Sequence, residues 1–152
     1  MERYFEEELT NHYTSLSPKQ KESQVLLECV RPKPRMEVLA LYLSLGMNTQ
    51  FETKTNMNLL HILASKKCPD ILQMLIEHGA NVNGKNNNDE IPLHIASSSG
   101  DVKSMIVLIN AGSSIHAIDD QGRTPLIRAG HSTHAMEACK TLLDNKADIR
   151  IT

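Results

Sequence analysis

The sequence has few aromatic residues, with no tryptophan, three tyrosines and two phenylalanines among 152 residues. The interior must therefore be built from leucine, isoleucine, valine, methionine and alanine. Strands of β-sandwiches usually draw on aromatic and β-branched side chains, so this composition favours packed helices. Hydrophobic residues at 40% and charged residues at 22% argue against wholesale disorder. The length allows one domain or one short repeat array.

An excess of one charge and long apolar runs are also missing. The formal net charge of −2 gives no general attraction to nucleic acid or to anionic membranes. No apolar run approaches the roughly 18 residues that span a bilayer, and the acidic segment Met1–Glu8 does not resemble a signal peptide. We therefore expect no membrane span and no nucleic-acid partner.

Cysteines are sparse and odd in number. Cys29, Cys68 and Cys139 lie far apart in the sequence and cannot all pair. Such a set is typical of a reducing compartment, so we expect the protein in the cytoplasm, the nucleus or both. We interpret the isolated thiols as core residues and not as nucleophiles.

The chain repeats itself with a fixed period. Gly46, Gly79 and Gly112 are separated by a constant step of 33, and each follows an apolar helical stretch. A glycine there can adopt φ > 0 and end the helix without a penalty from Cβ. The same step links further residues of three types: Leu27, Leu60, Leu93 and Leu126; His61 and His94; Pro92 and Pro125. Each unit is predicted to be a helical hairpin that must stack on its neighbours to bury its apolar face.

Three segments resemble the ankyrin-repeat family. Ile91–Ala96 and Thr124–Ala129 are similar to its Thr-Pro-Leu-His-x-Ala signature, and His78–Asn83 is similar to its Gly-Ala-Asp/Asn-Val-Asn ending. The resemblance covers about residues 24–152 and is strongest in 56–130. It implies an all-α ankyrin-repeat solenoid, in which stacked helix-turn-helix units carry projecting β-turn loops.

Five segments follow from the period. We expect an N-terminal capping helix segment in residues 1–19 and a degenerate first repeat in 20–55. The second, third and fourth repeats are expected in 56–88, 89–121 and 122–152.

No repeat keeps the full signature. Leu59 replaces proline in the second repeat, Ile91 replaces threonine in the third, and Ile127 replaces histidine in the fourth. Thr124, directly before Pro125, and Asn58 in the second repeat are predicted to cap their helices. We expect the array to be less stable than an idealised one.

The end of the fourth repeat is displaced by one position. The segment 146–149 fits the repeat ending only at a step of 34 from the preceding glycine. Either the turn 130–134 contains an extra residue, or Asn145, which tolerates the left-handed conformation, replaces the glycine. Ile149 and Ile151 follow without a polar cap, so either a longer array continues or a partner covers that end.

The N-terminal segment is predicted to form an amphipathic helix over 3–16. Large apolar side chains fall there at helical spacing: Tyr4, Phe5, Leu9, Tyr13 and Leu16. We interpret this helix as a cap on the first repeat; the alternative is a partner-binding helix. Ser17–Gln20 then reads as a capping box with proline at the first helical position.

No catalytic, cofactor or metal motif stands out. The resemblance implies that His61 and His94 hydrogen-bond the backbone and tie repeats together. His131 and His134 lie near Cys139 and faintly suggest a metal site, but zinc usually has three or four ligands in tight local pairs. The sequence has no glycine-rich phosphate loop, nucleophile elbow or paired-cysteine motif, so we expect no enzyme, cofactor or metal.

The resemblance implies that a partner protein docks on the loop tips and on the concave face formed by the first helices. We expect the loops to need only their backbone for the fold, which leaves their side chains free. The candidate binding residues are Lys54, Thr55, Met57, Ser65, Lys66, Asn87, Asn88, Glu90, Ser98, Ser99, Asp120, Gln121, Arg123, His131 and Ser132.

The turn 31–35 contains three basic residues and, by the period, is expected to lie beside Lys66 and Lys67. This basic ridge is either a solvated edge or a surface for an acidic protein. For the whole chain we expect either a small regulatory or inhibitory subunit or an adaptor within a longer protein. The resemblance suggests a kinase or a transcription factor as its partner.

Overall fold

The computed structural model describes residues 2–148, and all regular secondary structure in that range is helical. The helices are α1 (Glu2–Ser15), α2 (Pro18–Cys29), α3 (Met36–Ser44), α4 (Leu59–Lys66), α5 (Pro69–Glu77), α6 (Pro92–Ser99), α7 (Val102–Asn110), α8 (Pro125–Gly130) and α9 (Ala135–Asp144). None of these helices is long and apolar enough to cross a membrane. The expected all-α fold is confirmed. Ile149 and Ile151 lie outside the described residues.

The helices form two rows. The first helices of repeats two to four pack side by side in the order α4, α6 and α8, and the second helices follow in the order α5, α7 and α9. Each first helix also packs against the second helix of its own repeat. The stacked helical hairpins expected from the sequence period are therefore present.

The ends of the helices follow from a few local residues. Asn58 and Thr124 cap α4 and α8, because each side-chain oxygen accepts the backbone N–H three positions further on, at 3.1 and 3.4 Å. Gly46, Gly79 and Gly112 follow α3, α5 and α7 with φ of 80°, 87° and 90°. Other residues adopt this conformation only with strain, so the glycines end their helices at the same place in three repeats.

The core runs through the stack between the two rows. Leu60 and Leu93 are fully buried, and Leu126 is half-buried against the same cluster as Leu93. The prediction that Leu27 occupies the equivalent place is wrong, because its side chain is 61% exposed. Pro32 falls where a helix in register with α4 would continue, and proline breaks a helix interior. Helix α2 therefore begins earlier and ends at Cys29.

The extra residue of the fourth repeat lies in its second helix. Helix α9 begins one full period after the start of α7, but it ends one position later than a full period after the end of α7. The left-handed residue is Lys146 with φ of 70°, whereas Asn145 has φ of −95°. Both explanations offered from the sequence, an insertion in the turn 130–134 and a left-handed Asn145, are therefore wrong.

Helix α1 packs against α3 through its second half. The Tyr13 ring is buried and stacks on Tyr42 with 4.3 Å between the ring centroids. Tyr4 is 77% exposed, so its expected place on the packed face is wrong. Ser17 and Gln20 form the expected capping box at the start of α2.

Replacement of Leu93 by alanine should lower the free energy of unfolding by about 2–5 kcal/mol, because it leaves a cavity in the stack. The same change at Leu27 should cost less than about 0.5 kcal/mol, because that side chain lies mostly in solvent. Urea denaturation followed by circular dichroism measures both. An equal loss in the two variants would contradict the register described here.

Candidate functional site

Three loops with the same hydrogen-bonding pattern project from one side of the stack. They are residues 53–57, 86–90 and 119–123, and they recur with the period of the repeats. In each loop the backbone N–H of the first residue donates to the carbonyl oxygen of the fifth, at 2.9, 3.0 and 3.0 Å. The fourth residue of each loop has φ between 54° and 72°. The loops are therefore equivalent tight hairpins.

The base of each hairpin is held by a side chain as well as by the backbone. Asn86 Oδ1 accepts the Glu90 backbone N–H at 3.0 Å, and Asp119 Oδ1 accepts that of Arg123 at 2.9 Å. Thr53 Oγ1 does the same for the last residue of its loop at 3.1 Å. The expectation that the loops need only their backbone is therefore wrong.

Neighbouring hairpin tips are joined by backbone hydrogen bonds. The Asn87 N–H donates to the Thr55 carbonyl oxygen at 3.1 Å, and the Asp120 N–H donates to the Asn88 carbonyl oxygen at 2.9 Å. The side chains of these four residues are exposed. The tips therefore form one continuous row that is joined by backbone hydrogen bonds.

Two ion pairs lie behind this row, and each buries its carboxylate more deeply than its guanidinium. Asp119 Oδ2 lies 2.8 Å from Arg123 Nε, and Glu90 pairs with Arg128 of α8. Burial would raise the pKa of the Asp119 carboxyl, but the hydrogen bonds from Arg123 and Gln121 hold it below its usual value. Both pairs connect charges inside the protein and do not leave a free acid at the surface.

The prediction of Glu90 as a free loop residue is wrong. Only 6% of it is exposed, and its second carboxylate oxygen accepts a hydrogen bond from Asn86 Nδ2 at 2.8 Å. Its partner Arg128 lies in the following repeat, so no local pattern indicates the pair. Glu90 therefore holds the third and fourth repeats together.

The other predicted binding residues divide by exposure. The exposed group consists of Lys54, Thr55, Ser65, Asn87, Asn88, Ser98, Asp120, Gln121 and His131. The half-buried group consists of Met57, Lys66, Ser99, Arg123 and Ser132. The exposed residues lie in the hairpins, near the ends of α4 and α6, and directly after α8.

A cavity that the sequence did not predict extends this surface towards the first repeat. It has a volume of about 460 Å3 and lies between α2 and the first hairpin. Leu26 and Phe51 form its apolar part, with Lys19, Glu52 and Lys54 also lining it. Phe51 is one of only two phenylalanines in the chain. This rarity was the feature of the sequence that could have indicated the cavity.

His61 and His94 occupy equivalent positions inside the stack and are fully buried. In both rings Nδ1 accepts the backbone N–H of the residue before its own helix, at 3.1 Å. Nε2 then carries the proton and donates to a backbone carbonyl of the next hairpin, that of Glu90 at 2.8 Å or Arg123 at 3.0 Å. Burial lowers the pKa of both rings, although these carbonyls oppose the shift.

Few other side chains in the described residues have an arrangement that suggests metal binding or nucleophilic catalysis. Within residues 2–148 no three histidine, cysteine, aspartate or glutamate side chains come together as metal ligands. The His134 ring nitrogen Nδ1 lies 3.0 Å from Thr133 Oγ1. Burial raises the pKa of the Cys29 thiol to about 12, which makes it a poor nucleophile.

The sequence matches the family model described as ankyrin repeats (3 copies) over residues 26–119 and again over residues 60–152. The two matches together extend over most of the chain. They include the three hairpins, both buried histidines and helices α3–α9.

Several longer proteins are similar to parts of the chain. A human protein named ankyrin repeat and SOCS box protein 6 is 31% identical over 115 residues, which are 70% of this chain and 27% of that protein. A yeast protein named probable 26S proteasome regulatory subunit p28 is 39% identical over 88 residues, covering 55% of this chain and 39% of that protein. A Hydra tyrosine-protein kinase, HTK16, is 36% identical over 70 residues, covering 44% of this chain and 9% of that protein. The chain thus spans well under half the length of these relatives.

Acid should destabilise the fold through His61 and His94. Their pKa in the folded state lies below the value of about 6.5 expected in the unfolded chain, so the unfolded state takes up protons first as pH falls. This part of the stability is complete above about pH 6.5 and is lost as pH falls towards the lowered folded-state pKa. Thermal melts between about pH 7 and pH 5 measure it.

The double variant His61→Gln and His94→Gln should be less stable at neutral pH and should lose less stability over that range. His116→Gln is the control, because His116 is exposed and its removal should leave the pH dependence intact. An unchanged pH dependence in the double variant would assign the acid sensitivity to other groups.

Glu90→Ala should lower the free energy of unfolding by about 3 kcal/mol, because it leaves Arg128 unpaired and mostly buried. Lys85→Ala breaks the exposed Lys85–Asp89 pair and should cost less than about 1 kcal/mol. Urea denaturation compares the two variants. Similar losses would mean that water screens the Glu90–Arg128 pair as well.

Proposed function

The chain belongs to the ankyrin-repeat family, a protein-interaction fold, and from this premise we propose that it is a small regulatory or inhibitory subunit. It binds one partner protein through the hairpin tips and the concave face of the first helices. The observation that carries the proposal is the continuous row of tips. Their backbone is fixed by hydrogen bonds within and between hairpins, and their outer side chains are exposed.

A fixed backbone favours binding because little conformational entropy is lost when the partner docks. The exposed side chains at the tips include Asn87 and Gln121, whose side chains make no hydrogen bond within the described part of the chain. They are available for a partner without cost to the fold. The apolar cavity at Leu26 and Phe51 supplies a place for one apolar side chain of the partner.

The regulatory role is supported by the relative named as a probable proteasome regulatory subunit, at 39% identity. An adaptor is the second candidate, because another relative is named for ankyrin repeats together with a SOCS box. The two differ in what binding does. A regulator changes the activity of the protein it binds, whereas an adaptor leaves that activity unchanged and brings a second module to it.

The partner is a protein of the kinase or transcription-factor type, and binding occurs in the cytoplasm or the nucleus. Three cysteines without disulfides, Cys29, Cys68 and Cys139, fit a reducing compartment.

The tips are tested by Asn87→Arg combined with Gln121→Arg. Affinity capture from native cells with mass spectrometry identifies the partner, and titration calorimetry then measures its binding to both forms. The variant should bind about tenfold more weakly or worse, because two bulky charges interrupt the contact surface. Its melting temperature should stay unchanged, since neither side chain supports the fold.

The matched control is Asn110→Arg combined with Gln73→Arg, the same residue types on the exposed side of α7 and α5. It should bind the partner normally. Equal weakening in both variants would argue against the tips. Once the partner is known, an assay of its activity with and without the chain decides between regulator and adaptor.

A further inference from the structure

The turns between the helices of the first two repeats lie at the opposite end of the helices from the hairpin tips. Four basic side chains of these turns, Arg31, Lys33, Lys66 and Lys67, form what we term the basic edge. We propose that the basic edge is a second docking surface and that its occupant is an acidic segment of a protein. This surface meets the one used by the proposed function at Lys66, the last residue of α4, and its other three residues are not among the candidate binding residues of that surface.

The first turn is built around a buried carboxylate. Glu28, with 4% exposed, accepts three hydrogen bonds from Arg35: one from its backbone N–H at 2.9 Å, one from Nε at 3.1 Å and one from Nη2 at 2.7 Å. Arg31 Nε lies 3.3 Å from the same carboxylate, and its side chain is 52% exposed. The Glu28 carboxylate is therefore buried, whereas the guanidinium groups of Arg31 and Arg35 remain at the surface.

The conformation of this turn is restricted before any ligand arrives. Pro32 and Pro34 flank Lys33, and proline fixes φ. Burial alone would raise the pKa of the Glu28 carboxyl, but hydrogen bonds and charge from Arg35 hold it below its usual value. The anchoring carboxylate therefore stays ionised, and the exposed Lys33 projects from a stiff turn.

The second turn lies beside the first. Helices α2 and α4 pack together, and Cys68 before α5 packs against the same core cluster that contains Cys29 at the end of α2. Lys66 and Lys67 immediately precede Cys68. The basic residues of both turns are thereby brought to one edge of the stack.

Lys67 has a backbone conformation that costs stability. Its φ and ψ are 57° and 48°, in the left-handed region, and the next repeat has Gly100 at the same place with φ of 67°. A glycine would avoid a strain of roughly 1–2 kcal/mol. The fold therefore does not require a lysine at this position, and its exposed side chain is available for another contact.

The charges facing the edge leave it positive. Lys33, Lys66 and Lys67 make no ion pair within the described residues. The nearby acids are Asp70 and Asp101, which together with burial raise the pKa of the Cys68 thiol, and the Asp101 carboxylate accepts a hydrogen bond from Ser104. Glu6 and Glu37 line a groove together with Arg35, which is not one of the four residues of the edge.

This charge pattern fits an acidic protein segment better than nucleic acid. The two turns, residues 30–36 and 65–69, contain no aromatic residue on which bases could stack, and single-stranded nucleic acid is usually held by such rings. A short cluster of carboxylates needs only a few fixed cations at close spacing. An acidic peptide is therefore the expected ligand of the basic edge, and binding of an oligonucleotide is the competing outcome of the experiment.

The experiment measures fluorescence anisotropy of a labelled octaglutamate peptide at low ionic strength, with the full chain. The variant Lys33→Gln, Lys66→Gln and Lys67→Gly should bind about tenfold more weakly, because it removes three unpaired cations. The matched control Lys85→Gln, Lys103→Gln and Lys146→Gly removes the same charge and also relieves a left-handed lysine. It should bind within about twofold of the unmodified chain.

The single variant Lys67→Gly separates binding from folding. Its melting temperature should rise while its affinity for octaglutamate falls, a combination that a purely structural role does not give. Lys146→Gly should show the rise in melting temperature alone.

Three results would overturn the proposal. One is equal loss of binding in the two triple variants. Another is binding of octaglutamine as tight as that of octaglutamate, and the third is tighter binding of an eight-nucleotide oligothymidylate at matched charge. Added salt should weaken the octaglutamate complex, since exposed charges are screened.

Discussion

Each helical hairpin of this chain has an apolar side that only the next hairpin can cover. Leu60 and Leu93 are completely buried because α6 lies beside α4 and α8 lies beside α6. Interactions of this kind connect adjacent repeats only, so the stability of the array depends on each interface between neighbours. The hairpin tips can consequently differ in side chain from repeat to repeat while the stack stays intact.

Hydrogen bonds from polar side chains also cross the interfaces between neighbouring repeats. Asn83 Nδ2 donates to the Gly112 carbonyl oxygen at 3.2 Å, and Asn83 Oδ1 accepts the Ser114 N–H at 2.8 Å. Gln50, in the equivalent place one repeat earlier, donates to the Gly79 carbonyl oxygen. These contacts pair carbonyl groups that the ends of the second helices leave open. These contacts connect each repeat to the next, in addition to the hydrogen bonds within and between the hairpins.

The sequence predicted features that depend on a few adjacent residues and missed those that depend on distant ones. The caps at Asn58 and Thr124 act within one turn, so their positions could be read directly. The burial of Glu90 depends on Arg128, whose place becomes known only when α8 lies beside the second hairpin. The exposure of Leu27 has another origin: Pro32 prevents a helix in register with α4 from continuing in the first repeat. The structure of one repeat therefore predicts that of its neighbours only where the residues at equivalent positions allow the same local conformation.

The net charge of the chain is a poor guide to its surface. Among the described residues the buried acids are Glu28, Glu90 and Asp119, and each pairs with an arginine more exposed than itself. Setting these three pairs aside leaves fifteen acidic residues against thirteen lysines and arginines, so the difference is still −2. The formal value of −2 thus does not tell how the remaining charges are distributed over the surface. Because exposed charges act over about a Debye length, roughly 8–10 Å, the local arrangement at each edge decides which partner surface is attracted.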